Sequence, residues 1–446
     1  MKDRKNVLLM TSPAPRFAPF STKEKKPPLG LGFLMAVLKK AGHRVHFSDE
    51  YLQRSNSIES GFLQENNIEY IGIYSNTVCF IETVKLLDKI QKLRIEKKWK
   101  GEIIVGGPHP SLMPDDFPDY VDHVVIGEGE KKIIDIVEGY EKDRILYGER
   151  IEDLDSLPRP AWEEFIKLPY NWTDTWTNSR SVFTMNTSRG CPFSCKFCSV
   201  KGIWGKTYRT MSPARIFEDM AFLKKNYHAK CIYFREDNFT LNKKRIIELC
   251  NLLMKNNVKI DWLCETRADS LQDFKYVDLI ARAGCKAFYI GVESGSPRML
   301  DFIKKGETVQ QFIHAFDNAR RAGIKTYASF IFGLPTETNE DIKLTKQLIK
   351  RIKPDFVGKN VFVGLPGSEL YRYVKNGELY EYEDKRGLLF LKGHNSRVNR
   401  YYRFNPYFKI PPTVSKYECT LYDLCIEPVR KILRCCINSG VLPTFR

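Results

Sequence analysis

Cys191-Pro192-Phe193-Ser194-Cys195-Lys196-Phe197-Cys198 holds three cysteines in a C-x3-C-x2-C spacing, just after an apolar, β-branched run at 181–187 and the hinge Arg189-Gly190. A loop this short turns three thiolates toward one point, and thiolates are the ligands that hold iron–sulfur clusters. Three protein ligands leave one iron of a four-iron cubane free, and an open coordination position separates a catalytic metal centre from a closed structural one. A zinc knuckle or a disulfide pair is the competing reading. Zinc calls for a fourth Cys or His nearby, and the next candidates downstream, His228 and Cys231, are about thirty residues away.

A loop of this kind needs a scaffold, and the chain around it alternates strand with helix. Strands are expected at 182–187, 231–235, 259–264, 285–291, 326–332 and 355–363, with helices at 213–226, 243–256, 274–283, 310–322 and 339–352. Ser212 as N-cap and Pro213 in the first turn mark the start of the first of these helices. Six βα units fall short of an eightfold barrel, and in barrels the chemistry sits at the carboxyl ends of the strands. Those ends carry polar residues: Glu236 and Asp237 after the second strand, Arg267 after the third, and Glu293 after the fourth. Gly333 and Glu337 follow the fifth strand, and the segment 365–371 follows the sixth.

The first 145 residues show the same alternation, with strands expected at 6–10, 43–48, 70–74, 102–105 and 121–126 and helices at 28–40, 83–93 and 130–140. Such a pattern specifies a doubly wound, Rossmann-like parallel sheet. Ligands of such sheets lie outside the carboxyl ends of the strands, which makes Ser75, Gly106, Gly107 and Gly127 the candidate contacts. Ordinary strand-to-helix turns that need φ > 0 also account for these glycines. Residues 146–179 read as a connector whose Trp162, Phe165, Tyr170, Trp172 and Trp176 pack two domains together. The division is therefore 1–145, 146–179, 180–372 and a C-terminal extension at 373–446. Cys419, Cys425, Cys435 and Cys436 lie in that extension and read as buried free thiols, with a second cluster as the alternative; 426–437 reads as an amphipathic helix.

The 446 residues are 43% hydrophobic, enough for two or three cores, and no apolar run approaches the ~20 residues of a membrane-spanning helix. The N-terminus has no leader-like pattern, and twelve cysteines without one favour a reducing compartment, so a cytoplasmic protein is expected. The net charge is +17, of which the stretch 390–446 carries +7. That excess reads as solvated lysine and arginine or as attraction to an anionic surface.

Taken together, the cysteine spacing with an aromatic before its last member, the six-unit alternation and the polar strand ends resemble the radical S-adenosylmethionine (SAM) superfamily. The resemblance implies a partial (β/α)6 TIM barrel and a [4Fe-4S] cluster on Cys191, Cys195 and Cys198. It also implies SAM chelated to the open iron and cleaved by an electron to a 5′-deoxyadenosyl radical. Arg235-Glu236-Asp237-Asn238-Phe239 is similar to the family segment that hydrogen-bonds SAM's amino group, with Glu236 and Asp237 the acceptors. Arg267 would grip the SAM carboxylate, Glu293 would accept from the ribose hydroxyls, and the segment from Gly333 through Glu337 would flank adenine.

In the front part, PPLGLGFLMAVLKKAGHRV, VGGPHPS and IGEGE resemble the cobalamin-binding domain that precedes the barrel in one large class of these enzymes. The D-x-H-x-x-G motif that supplies histidine to cobalt in many B12 proteins is absent, since none of the seven histidines has Asp two positions before it. The class implies methylation of an unactivated carbon through methylcobalamin; a radical rearrangement, cyclisation or oxidation is the alternative. A non-catalytic metal-binding interaction protein is the distant one. A small-molecule or lipid-like substrate and an external electron donor of flavodoxin or ferredoxin type are the implied partners. Nucleic acid is not expected, and the basic tail is compatible with peripheral contact to an anionic membrane. Anaerobic reconstitution should load about four irons per chain. Replacing all three cysteines by Ala should abolish SAM cleavage, and 5′-deoxyadenosine from the triple variant would overturn the cluster assignment.

Overall fold

The computed structural model describes residues 3–14, 25–52, 57–174, 177–383 and 387–391. The four tail cysteines, the 426–437 segment, most of the basic tail and Trp176 lie outside the described residues.

The first sheet is parallel and six-stranded: β1 Asn6–Thr11, β2 Arg44–Ser48, β3 Tyr70–Tyr74, β4 Glu102–Gly106, β5 His123–Ile126 and β6 Ile145–Tyr147, in the order β2-β1-β3-β4-β5-β6. Val7, Leu8, Leu9 and Met10 are all fully buried, because helices cover both faces of a parallel sheet and its strands become continuous apolar runs. Strand order reverses between β1 and β3, the switch point where doubly wound sheets open a ligand crevice. The sequence reading placed five strands here; the three-residue β6 is too short to show a periodicity and is made by pairing with β5.

The second sheet is built from β7 Val182–Met185, β8 Cys231–Phe234, β9 Asp261–Thr266, β10 Cys285–Glu293, β11 Lys325–Phe332 and β12 Phe356–Val361. Its order follows the chain and every pairing is parallel. No pairing joins β12 to β7, so the barrel is partial and open along one side. The five helices follow the expected places, with Asn339–Ile352 at its expected bounds and a Thr338/Asp341 capping box at its start. Strand boundaries differ by up to two residues at either end: β10 runs through a bulge to Glu293, while the first strand stops at Met185. Short helices at Ser60–Glu65, Pro297–Phe302 and Glu369–Asn376 were not foreseen.

Two faces of the barrel strands bury different things. Phe183, Phe234, Trp262, Cys264, Phe288 and Phe330 belong to the core shared with the helices. The opposite parity forms a separate cluster of Val182, Cys231, Tyr233, Leu263 and Ala287, with Tyr289 packed against it. Between the sheets runs an aromatic chain: Phe47 meets Phe165 (5.5 Å between centroids), Trp162 meets Phe183 (5.2 Å) and Trp172 meets Phe183 (4.6 Å). Phe165 lies against Gly32, where a Cβ would come within 2.8 Å of its ring. Phe165 is fully buried, so Phe165→Ala should cost about 3–5 kcal/mol through lost burial and the cavity left behind. Chemical denaturation checks this; a loss below about 1 kcal/mol would show that the connector does not join the two cores.

Candidate functional site

The cysteine loop leaves β7 through Thr187, Ser188, Arg189 and Gly190. Gly190 has φ +85°, and a Cβ there would lie 2.0 Å from the Thr207 carbonyl, so only glycine makes this turn. Cys191, Cys195 and Cys198 are free, half-buried thiols. Burial raises all three above the ordinary thiol range, Cys198 to about 12, and the ionised forms of its neighbours Cys195 and Cys191 add to this shift. Arg267 stacks on Phe193 of the loop at 3.7 Å, and Arg267 and Lys305 both act to lower Cys195. Among the described residues no set of three or more His, Cys, Asp or Glu side chains is closed around a single metal ion. A cubane spreads its three thiolates over separate irons, so a wider donor set is what it requires. The donors, the access to solvent and the neighbouring cations fit such a cluster.

At the other strand ends the expected residues divide. Glu236 is taken up by the protein: the Ser188 N–H donates to its carboxylate at 2.8 Å, Thr187 Oγ1 at 3.1 Å and Arg245 at 3.3 Å, and the Thr187 N–H bonds it as well. Glu236 thus braces the start of the cysteine loop, and it also lines the hollow described below, beside Asp237. Asp237 keeps solvent access but is ringed by protein, and that burial pushes its carboxyl up to about 6, with Glu236 adding to the effect.

Arg267 is almost fully buried and pairs with Asp269 (2.8 Å) and Glu307 (3.4 Å). Glu293 sits at φ +65° and faces Lys305 at 3.4 Å, and Lys305 also meets Glu307 at 3.3 Å. Gly291 makes room for this pair, since a Cβ there would come within 2.4 Å of Glu293 Oε1. Burial alone would lower Lys305, but Glu293 and Glu307 outweigh it and hold the ammonium charged. Sequence reasoning missed Lys305 and Glu307; the signal was Lys304-Lys305-Gly306-Glu307, charges around a glycine that turns at φ +68°. It also missed a polar layer on the inner strand faces. Tyr233 stacks on Tyr289 (5.1 Å) and donates to Glu265 at 2.9 Å, and Tyr289 packs on Tyr327 (5.4 Å). Alternation at strand centres would have flagged these residues.

Opposite this barrel mouth, the carboxyl ends of β3, β4 and β5 bound an open hollow of about 330 Å³. Its walls include Gly106, Gly107 and Gly127 from the first sheet and Arg189, Trp204 and Asp237 from the barrel. Gly107 turns at φ +115° and Gly127 at +84°, conformations that L side chains rarely adopt. Ser75 is corrected: it is fully buried beneath the wall, bonded to Thr83 at 2.9 Å, and its carbonyl lies 2.7 Å from where a Gly107 Cβ would be. Among the described residues no histidine lines the hollow; His109 is buried beside Asp116 and Phe80 instead. A broad glycine-walled crevice at a switch point fits a large flat ligand, and its described walls offer no imidazole to a metal.

Gly333 (φ +74°) donates its N–H to Glu337 at 2.5 Å. Burial raises the Glu337 carboxyl to about 7 despite that bond. The folded chain therefore holds this proton more tightly than the unfolded chain. Its contribution to stability is present at and below the ordinary glutamate range and is lost as the pH rises to about 7. Glu337→Gln should flatten the stability profile over that window. It should stabilise the protein near pH 8 by on the order of 1 kcal/mol, allowing for partial solvent screening. Urea denaturation at several pH values checks this, and an unchanged profile would refute it.

Residues 185–349 match the family model of the radical SAM superfamily, and residues 20–137 match that of the B12 binding domain. The chain is 30% identical over 365 residues to an uncharacterized methyltransferase of Pyrococcus horikoshii, covering 78% of each. It is 26% identical over 398 residues to an anaerobic magnesium-protoporphyrin IX monomethyl ester cyclase of Rubrivivax gelatinosus, covering 80% of this chain and 68% of the relative. In fold it is similar to the cobalamin-dependent SAM radical enzyme OxsB, with a TM-score of 0.75 over 96% of this chain and 72% of that one at 19% identity. With the cysteine loop, the partial barrel and the glycine-walled crevice, these matches place the chain in the radical SAM superfamily, as an enzyme of the class that carries a B12-binding domain and works with a [4Fe-4S] cluster, SAM and cobalamin.

Proposed function

We propose that the protein methylates an unactivated carbon of a small-molecule substrate. One observation supports this above the others: the crevice of the first sheet and the mouth of the barrel are walls of the same hollow, with Gly106, Gly107 and Gly127 on one side and Arg235 and Asp237 on the other. When bound, the cluster and SAM supply a hydrogen-abstracting radical and cobalamin supplies a methyl group. A donor in the crevice would then face the space in which a substrate at the barrel mouth is activated. The relative of highest identity given above bears a methyltransferase name, which favours the same reading.

The chain's own residues bind and orient. Cys191, Cys195 and Cys198 are the three thiolates for the cluster. Asp237, free of the contacts that occupy Glu236, is the acceptor for the SAM ammonium. Arg267, with Lys305 behind it, presents positive charge to the carboxylate. Glu293 is held by Lys305 where a ribose hydroxyl can donate to it, and the turn from Gly333 to Glu337 flanks adenine. The inner layer of Tyr233, Glu265, Tyr289 and Tyr327 offers a substrate aromatic faces and one buried carboxyl group. An external one-electron donor supplies the reducing equivalent. Cyclisation or another rearrangement is the second reading, supported by the similarity to the cyclase.

The protein, produced where cobalamin is taken up and purified without oxygen, should carry a corrinoid chromophore. Its cob(II)alamin form should show no histidine nitrogen on cobalt by electron paramagnetic resonance, because no histidine is among the described residues that line the hollow. With SAM, reductant and substrate it should release S-adenosylhomocysteine together with 5′-deoxyadenosine. Corrinoid-loaded protein that yields deoxyadenosine and product but no S-adenosylhomocysteine would replace methylation by the second reading.

A further inference from the structure

We propose that two segments of the crevice wall clamp the cysteine loop from both flanks. In this clamp Arg189, paired with Glu128 and Glu130, is a positioning residue that sets how the corrinoid faces the cluster. The proposal does not depend on which reaction follows.

On the upstream flank, Glu128 and Glu130 come from the Gly127–Glu130 turn after β5. Arg189, two residues before Cys191, forks onto both: one nitrogen reaches Glu128 at 2.5 Å and another pairs with Glu130. Arg209 takes the other oxygen of Glu128 and the Ile151 carbonyl. It is tied to the same place because Ser188–Arg189 and Arg209–Thr210 form an antiparallel ribbon. The four side chains are at most 12% exposed. Burying four charges costs free energy that apolar packing would not, and the pairing compensates only if the geometry is held. A guanidinium fork onto carboxylates fixes direction as well as distance, whereas the neighbouring contact of Phe165 with Gly32 fixes distance alone.

On the downstream flank, helix Pro108–Leu112 begins at Gly107 and ends in Leu112, which seats against Gly202 and Gly367. A Cβ on Gly202 would lie 2.7 Å from the Leu112 side chain, and one on Gly367 only 2.4 Å from it. Gly202 lies in Val200–Trp204, the helix that follows Cys198. Two of the segments that wall the crevice, 106–111 and 127–130, thus end on chain that adjoins an outer cysteine. Glu128, Glu130 and Arg189 also line the hollow themselves. A shift of the corrinoid-bearing wall therefore reaches the cluster ligands through an ion fork on one flank and a close-packed leucine on the other.

The test uses the full-length protein loaded with cluster and cobalamin. The reduced cluster and cob(II)alamin are both paramagnetic, so their spin–spin coupling reports separation and orientation without turnover. Arg189→Gln and Gly202→Ala should each change that coupling at least about twofold while iron and corrinoid content stay at the parent level. Adding Leu112→Ala to Gly202→Ala removes the knob that the new methyl group displaces and should restore the parent coupling. Iron and corrinoid content at the parent level separates this repositioning from simple destabilisation. If Arg189→Gln strands its two glutamates and loses iron, the Gly202/Leu112 pair decides alone. Unchanged coupling in the loaded variants, failure of Leu112→Ala to restore it, or protein that takes up no corrinoid would each overturn the proposal.

Discussion

The ion fork between Arg189 and the two glutamates of the Gly127–Glu130 turn is the contact on which the arrangement of this molecule rests. Each sheet has its own apolar core and its own row of strand ends, and neither row constrains the other. The aromatic connector holds the sheets together but would tolerate sliding, because dispersion contacts are weakly directional. Paired buried charges do not tolerate it: a small displacement leaves a carboxylate or guanidinium desolvated without a partner, at a cost of several kcal/mol. Set at the base of the cysteine loop, that constraint makes the crevice and the barrel mouth one chamber.

A second charged network does comparable work inside the barrel. Arg267, Glu307, Lys305 and Glu293 form a buried chain of alternating sign beside the loop. It holds a guanidinium against Phe193 and a carboxylate at the end of β10 without help from solvent. The bulge at Gly291–Glu293 and the positive φ of Glu293 are local strain that this network sustains. Strained, over-determined strand ends are what a barrel offers to chemistry, because loops there vary while the strands beneath them stay rigid.

Carboxylates close together in sequence acquire different duties from their surroundings. Glu236 and Asp237 are adjacent and both line the hollow, yet one is buried and bonded to backbone N–H groups, a hydroxyl and Arg245, while the other is exposed. Which side a strand-end residue faces depends on where its strand stops, and β8 stops at Phe234. Ser75 illustrates the same point in the first sheet, where it turns under the wall to support Gly107 rather than onto the wall itself.

The sequence alone determined the elements whose signal is local. The cysteine loop is contiguous, so its spacing is the site. The βα alternation is a periodicity, so both parallel sheets and nearly all their strands could be read directly, as could the rim glycines Gly107 and Gly127 whose positive φ only glycine adopts freely. The tertiary structure decided everything that depends on residues far apart in the chain meeting: Arg189 with Glu130 across 59 positions, Arg267 with Glu307, and Leu112 on Gly202. None of these leaves a period in one sequence. A surface arginine and a buried, forked one are the same letter, and only packing removes the water that makes the difference.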